Sequence, residues 1–501
     1  MTIYNLNLGI GWASSGVEYA QAYRAKLFNQ LHVDHKFIFT DFISYENICD
    51  LTDNISLDRQ DVIWLYSYFT DFSVEPTTVT LDDVIASYHH PIVRQEETDK
   101  AMKCFDARGD YFTAYFKSRQ SQRTIVHRVE YVSKGLLVRK DFFTTGRLFS
   151  EYYYPKDGTI QLYLRRFYNR DSTIAYEEFI NNGQSTFKFP SGFFYSKEAL
   201  IEHLMKSLKL TARDLFILDR STGVGQSVFK NVKPAKLGVV IHAEHFNAPL
   251  TTEDTILWNN YYDYQFTNAD KVDFFITATE KQKEILEQQF RHYTSHRPYI
   301  VAIPVGSIDR LQFPKSIRKP YSVITASRLA SEKHVDYLVK AVVLAKKELP
   351  LLTFDIYGAG GEEQRLRQII DQAKAGDYIT LCGHQDLARV YQQYEAYLSA
   401  SKSEGFGLTL LEAIASGLPL IGFDVPYGNQ TFIEEGKNGY LLEVSDSEEV
   451  VVKRFAAALV KLFKEGSMTK KQNCSYQIAE AFLTSEVIQK WKQLIKEMEE
   501  R

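Results

Sequence analysis

From residue 321 onward, short apolar runs alternate with helix-length segments, and no other feature constrains the fold as much. YSVITAS (321–327), TFDIYG (353–358), YITLCG, AYLSAS, LPLIGFD and GYLLEV each read as a buried strand. HVDYLVKAVVLAKKEL (334–349) and EEQRLRQIIDQAKA carry helical spacing between them. Strands separated by helices of this length predict βαβ units, a parallel sheet and right-handed crossovers. The same alternation appears earlier in two pieces. TIYNLNLGI, KFIFTDF and DVIWLY form one, and DLFILD (214–219), LGVVIH (237–242), VDFFITAT (272–279) and YIVAIPV (299–305) the other.

Between about 75 and 205 the period drops to two. DYFTAYFKSR, TIVHRVEYV, LLVRKDFF, SEYYYP, IQLYLRRFY and STFKF alternate, with SKG, PKDG, NRDS and NNG as turns between them. This predicts an antiparallel meander inserted into an α/β domain. Sheet packing is the plain explanation of the 32 Tyr and 33 Phe, and a protein-docking sheet is the functional one. A chain of 501 residues exceeds one hydrophobic core. The expected division is 1–74 with 204–317, an insert at 75–203, a second α/β domain at 318–480, and a C-terminal helix at 481–501 that returns to the first domain.

The net charge of −4 argues against a broad electrostatic grip on nucleic acid, and no nucleic-acid partner is expected. Four scattered cysteines, without a CxxC, fit a reducing compartment. The N-terminus lacks the pattern of a signal peptide, and no 18-residue apolar window appears. The expectation is a cytoplasmic protein, with peripheral association at the inner face of the cell membrane left open.

The chemistry concentrates in SEGFGLTLLEA (403–413), between a strand and a helix. Gly405 and Gly407 let backbone N–H groups approach an anion, and a helix N-terminus favours phosphate. Carboxylates at Glu404 and Glu412 would repel that phosphate unless they point at sugar hydroxyls. A polyol on each side of a diphosphate describes a nucleotide sugar. Alone, Glu412 also reads as a first-turn Glu favoured by the helix dipole. SRLASEKH (327–334) brings Arg328 and Lys333 to another strand-to-helix loop. Fixed cations there stabilise a departing nucleoside diphosphate; solvated surface charge is the alternative.

GIGWASSGVEYA places Gly9, Gly11 and Gly16 in the first strand-to-helix turn, without a G-x-G-x-x-G or Walker A pattern. VVIHAEHFN (239–247) puts His242 at a strand end, where it can touch a substrate or serve structure. His242 and His245 lack a third metal ligand at motif spacing. The sequence contains no Asp-x-Asp to bridge a metal and diphosphate. No metal or other cofactor is expected, and Arg328 and Lys333 take the metal's place. GAGG (358–361) reads mainly as a structural turn.

These motifs resemble retaining glycosyltransferases of family 4. The resemblance implies the GT-B fold: two Rossmann-like domains facing a cleft, here with an inserted antiparallel β-sheet domain. It implies that Glu404 reaches the transferred sugar, that Glu412 takes the ribose diol, and that Arg328 and Lys333 hold the diphosphate. Ser403, Gly405, Phe406, Gly407, Leu408 and Thr409 complete the donor loop, with backbone amides around Gly407 to Thr409 on the leaving phosphate. A closer resemblance spans nearly the whole chain. MTIYNLNLGIGWASSGVEYAQAYRA, VVIHAEHF, WNNYYDYQFTNADKVDFFI and IPVGSIDRL resemble the GtfA family, catalytic subunits of the enzymes that modify serine-rich repeat adhesins. This implies transfer of N-acetylglucosamine from UDP-GlcNAc to adhesin Ser and Thr hydroxyls, the first step of O-glycosylation. It implies a GtfB-like non-catalytic partner docked through the β-sheet insert. By the same analogy Gly16 faces the donor phosphates or acceptor, and His242 sits near the transferred sugar. The expected mechanism is front-face attack with retention. Two alternatives remain: a wall-teichoic-acid glucosyltransferase using UDP-glucose, and a non-catalytic adhesin-binding subunit.

Overall fold

The computed structural model describes residues 1–12, 14–120 and 123–501. The chain separates into two compact units, Met1–Gly238 and Val239–Arg501. Among the described residues, no helix is long and apolar enough to cross a membrane.

The first unit opens with strand Thr2–Asn7, flanked in parallel by Asp34–Phe39 and Leu215–Leu218, with Val62–Trp64 beyond. Ile3, Leu6, Phe37, Ile38 and Phe39 are fully buried, as expected for strands covered on both faces. The helix Gly16–Leu31 is capped by Ser15, with Glu18 reaching back to the Ser15 N–H at 2.6 Å. Its inner face is polar. Arg24 grips Asp219 through two bonds of 2.8 and 2.9 Å and also donates to Asn5 Oδ1 at 2.8 Å. Gln21 donates to Asp219 at 2.8 Å, and Asn7 donates to Glu18 and Gln21 at 3.0 and 3.1 Å. Every member of this network is buried.

The insert is a ten-stranded antiparallel sheet of described residues, running in sequence order from Ile92–Glu97 to Gly192–Phe194. Its hairpins use the turn residues seen in the sequence. Asp157-Gly158 and Asn182-Gly183 all have positive φ, between 50° and 77°, as two-residue hairpins require. Many aromatics pack within the sheet. Phe167, Tyr176 and Phe189 stack with centroids 4.3 and 4.5 Å apart. Arg165 bridges buried Glu151 and Glu178 at 3.0 Å each and lies 3.7 Å over Phe42. Two elements of the 75–203 segment differ from a pure meander: the helix Lys197–Ser207 begins at its end, and Leu81–Ser87 is a helix near its start. Thr80 and Asp83 form its capping box, and Val84 packs against Phe112 and Val126 on the sheet. Seven residues carry too little periodicity to stand out beside the long alternating strands.

The second unit holds the parallel pair Phe274–Thr277 and Ile300–Ala302, and a six-stranded parallel sheet. The six strands are Ser322–Ala326, Thr353–Tyr357, Ile379–Gly383, Ala396–Ser399, Leu420–Phe423 and Gly439–Leu442. Numbered along the chain, their spatial order is 3-2-1-4-5-6. That order reverses between Ser322–Ala326 and Ala396–Ser399, the switch point where doubly wound sheets bind ligands. The last helix, Thr484–Glu500, buries Val487, Trp491 and Leu494. Thr484 bonds Ser307 and Asp309 at 3.1 and 3.0 Å, and Lys490 donates to the Ala302 carbonyl at 3.3 Å.

The Arg24–Asp219 pair ties a helix to a strand end, with both side chains buried. Removing one partner strands the other charge. Asp219→Ala should cost about 3–5 kcal/mol, read as a lower urea midpoint for the first unit, whereas Arg24→Met with Asp219→Leu should recover most of it.

Candidate functional site

The two strands at the switch point end in the loops that carry the sequence's charged motifs. After Ala396–Ser399 the chain turns through Ser401, whose hydroxyl donates to the Ser403 carbonyl at 2.9 Å. Lys333, from the loop after Ser322–Ala326, reaches across to Glu404 Oε2 at 2.9 Å and Ser401 Oγ at 3.2 Å. Both Lys333 and Glu404 keep about a fifth of their side chains exposed, so the pair is reachable from solvent.

The turn is held by its backbone. The Glu404 carbonyl accepts from the Tyr427 and Gly428 N–H groups at 3.0 and 2.9 Å. A Cβ at Gly405 would fall on the His242 carbonyl oxygen. Gly407 has φ 88° and precedes the helix Leu408–Ala415, which has no side-chain cap. The N–H groups of Leu408 and Thr409, in the helix's first turn, have no intrahelical acceptors and concentrate positive potential. Phe406 is buried against Phe432 and Phe482. Leu408 covers Gly306, and Thr409 Oγ1 lies 3.0 Å from the Tyr397 hydroxyl.

Glu412 sits one turn into this helix, where the Tyr391 hydroxyl donates to Oε2 at 3.0 Å. Burial pushes its carboxyl up to about 7, with Asp386 adding to the rise and Tyr391 opposing it. Arg328 lies apart. It is 70% exposed and pairs with Glu332 at 3.2 Å, one helical turn away in sequence. The GAGG turn supports the Arg328 loop: Gly358 and Gly360 press against the Ser327 and Leu329 carbonyls, leaving no space for side chains. Gly16 belongs to the first unit, and a Cβ there would meet open space beyond its own helix.

His242 follows strand Lys236–Ile241. Its N–H and that of Ala243 both donate to the Tyr262 hydroxyl at 3.0 Å, and Gln282 donates to the Ala243 carbonyl at 2.9 Å. Burial raises the Glu244 carboxyl above its ordinary value, with the Ser403 side chain opposing the rise. His245 is fully buried and uses both ring nitrogens: Nε2 lies 2.7 Å from Gln289 Oε1, and Nδ1 lies 2.8 Å from the Tyr427 hydroxyl. Burial pushes this imidazole down to about 4.

The structure therefore joins Lys333, Ser403, Glu404, Gly405 and the His242 backbone, with Gly407, Leu408 and Thr409 opening the adjoining helix. Glu412 lies one turn deeper, and Arg328 is turned toward Glu332. Sequence reasoning missed Glu244, Tyr391 and Tyr427. Tyr427 follows Leu420–Phe423, another parallel strand of the same sheet, and that position was its available signal.

Comparison with known proteins extends this description. Residues 94–191 match the GtfA extended beta-sheet domain, and residues 308–477 match the glycosyl transferases group 1 family. The UDP-N-acetylglucosamine–peptide N-acetylglucosaminyltransferase GtfA subunit of Streptococcus gordonii is 54% identical over 501 residues, 99% of each chain. The crystal structure of the pneumococcal O-GlcNAc transferase GtfA in complex with UDP and GlcNAc is 55% identical, covers 99% of each chain, and superposes with a TM-score of 0.93. A chain in the crystal structure of a GtfA/B complex is 54% identical over 100% of both chains, with a TM-score of 0.95. The fold is GT-B with an extended antiparallel sheet, and the chain belongs to the GtfA family of glycosyltransferase subunits.

Proposed function

We propose that this chain transfers N-acetylglucosamine from UDP-GlcNAc to Ser and Thr hydroxyls of a serine-rich repeat adhesin, with retention, in complex with a GtfB-like subunit. The Lys333–Glu404 pair beside an uncapped helix N-terminus carries the catalytic reading. Family membership supports the donor, the acceptor and the partner. The extended sheet is the docking surface for that partner. The enzyme works in the cytoplasm, in keeping with four free cysteines, and peripheral contact with the inner membrane face is the finer expectation.

The reaction breaks the bond between the sugar's C1 and the β-phosphate oxygen and forms one between C1 and the acceptor oxygen. The acceptor's proton passes to the leaving phosphate, and UDP departs. Lys333, Arg328 and the amides of Gly407 to Thr409 neutralise the charge that develops there. These cations take the role a metal holds in Asp-x-Asp enzymes. Glu404 orients the sugar, Glu412 accepts from the ribose diol, and His242 lies beside the transferred ring. Position, not nucleophilic attack by the protein, supplies the rate.

Mass spectrometry of an adhesin fragment co-expressed with this chain and its GtfB-like partner tests the reading. Mass rising in N-acetylhexosamine steps supports it; an unmodified fragment beside glucosylated teichoic acid would refute it. Glu404→Gln and Lys333→Ala should each lower turnover ~10²–10³-fold while the chain stays folded, as circular dichroism would report.

Glu412 yields a pH test with two opposed signs. Its carboxyl rises from 4.5 in the unfolded chain to about 7 in the fold. Such a group stabilises the fold below pH 4.5, and that stabilisation is lost as pH rises through 7. Without donor, Glu412→Gln should therefore raise the melting temperature relative to wild type more at pH 8 than at pH 5. The ribose needs the ionised form as acceptor, so UDP affinity should rise ~tenfold between pH 6 and pH 8 in wild type. In Glu412→Gln the affinity should be lower and flat with pH. Calorimetry across this range checks both.

A further inference from the structure

His245 is a buried titratable group that the proposed transfer does not use. Its two bonds form a complete relay. Nε2–H donates to Gln289 Oε1, a pure acceptor, at 2.7 Å, which leaves Nδ1 to accept the Tyr427 O–H at 2.8 Å. The ring also stacks on Tyr427, with centroids 5.5 Å apart and planes 20° from parallel. Tyr427 is itself fully buried. On its other side, the Tyr427 and Gly428 N–H groups donate to the Glu404 carbonyl at 3.0 and 2.9 Å. A Cβ at Gly428 would collide with the Phe406 carbonyl oxygen, so this backbone lies directly on the Glu404–Phe406 turn. Gln289 lies on the helix Glu280–Tyr293, which anchors the far end.

We propose that His245 is a positioning residue for sugar transfer, holding Tyr427 and, through the Tyr427–Gly428 backbone, the turn that aims Glu404. The inference deepens the proposed function and rests on it. With a neutral imidazole Nδ1 accepts the Tyr427 O–H; an imidazolium would reverse that bond and leave the phenol proton to find another acceptor. The burial that pushes His245 down to about 4 keeps it neutral at working pH. Its engaged nitrogens also give His245 a role other than metal ligation. Without His245, the Tyr427 hydroxyl is buried without an acceptor. The strain falls on the two amides that hold Glu404. The ribose contact proposed at Glu412 lies outside the relay, and Lys333, though paired with Glu404, keeps Ser401 as a second partner. A slackened Glu404 turn should therefore cost turnover more than donor binding.

The test uses the chain with its GtfB-like partner, UDP-GlcNAc and the adhesin fragment. Tyr427→Phe deletes one oxygen and keeps the ring. It should lower kcat about tenfold, the cost of one buried hydrogen bond, with the donor KM and UDP affinity within about twofold of wild type. His245→Phe should do the same, and the double variant should be no worse than either single one. His245→Gln, which can accept at Oε1 and donate at Nε2, should recover most of the rate. Hydrogen exchange at the Tyr427 and Gly428 amides should accelerate in both Phe variants, with or without acceptor. Normal kcat and unchanged exchange in Tyr427→Phe, beside an active wild type, would overturn the inference alone. Additive losses in the double variant would overturn it too, as would a parallel collapse of UDP binding. A wild-type complex that transfers no sugar, yet shows the expected exchange pattern, would instead overturn the proposed function and leave the clamp as a structural one.

Discussion

The site depends on backbone lying directly against backbone. Side chains are absent at Gly405 beside the His242 carbonyl, at Gly428 beside the Phe406 carbonyl, and at Gly306 beneath Leu408. Four loops nest there because no Cβ intervenes. Their charged side chains then project from a base with little freedom to move. A methyl group at any of these positions would force the backbone apart, as overpacking does in a core, at about 1–3 kcal/mol or more. The larger effect would be on geometry, since the Glu404 carbonyl is fixed by two amides from the displaced segment.

Two helix N-termini in this chain meet negative charge differently. The helix Gly16–Leu31 satisfies its own end: Ser15 accepts from Val17, and the Glu18 carboxylate takes the Ser15 N–H. Arg220 then pairs with Glu18 at 3.3 Å. The positive end of that helix is balanced within the first unit. The helix Leu408–Ala415 has glycine where a Ser or Asp cap would stand, and its first amides have no side-chain acceptor. An uncapped end costs stability in the free protein and leaves its first amides open to an acceptor from outside the helix.

Much of this was legible in the sequence because it was periodic or local. Six apolar runs separated by helices gave the parallel sheet, and alternation with K-G, D-G and N-G turns gave the meander. The SEGFGL turn announced itself through two glycines at a strand-to-helix junction. The partners did not. Lys333 meets Glu404 across 71 residues, His245 meets Tyr427 across 182, and Tyr391 meets Glu412 from a short 3-10 turn. No spacing rule links such positions. Arg328 and Lys333 looked equivalent on one loop, yet one turns to Glu332 and the other to Glu404. The helix Leu81–Ser87 was hidden because its capping box and single buried Val84 are weak against the surrounding alternation.

The charges around the donor loop balance one another before any ligand arrives. Two carboxylates beside a phosphate site would repel an anion, and each is offset differently. Glu404 is paired with Lys333, whereas Glu412 is held by burial near half-protonation at neutral pH, with Tyr391 as its donor. Lys333 has three ammonium hydrogens on a point charge. Two are directed to Glu404 and Ser401. A guanidinium would present its donors in one plane, matched to a single carboxylate. An ammonium can divide itself among a carboxylate, a hydroxyl and a further acceptor at once, and Lys333 already holds Glu404 and Ser401 in this way.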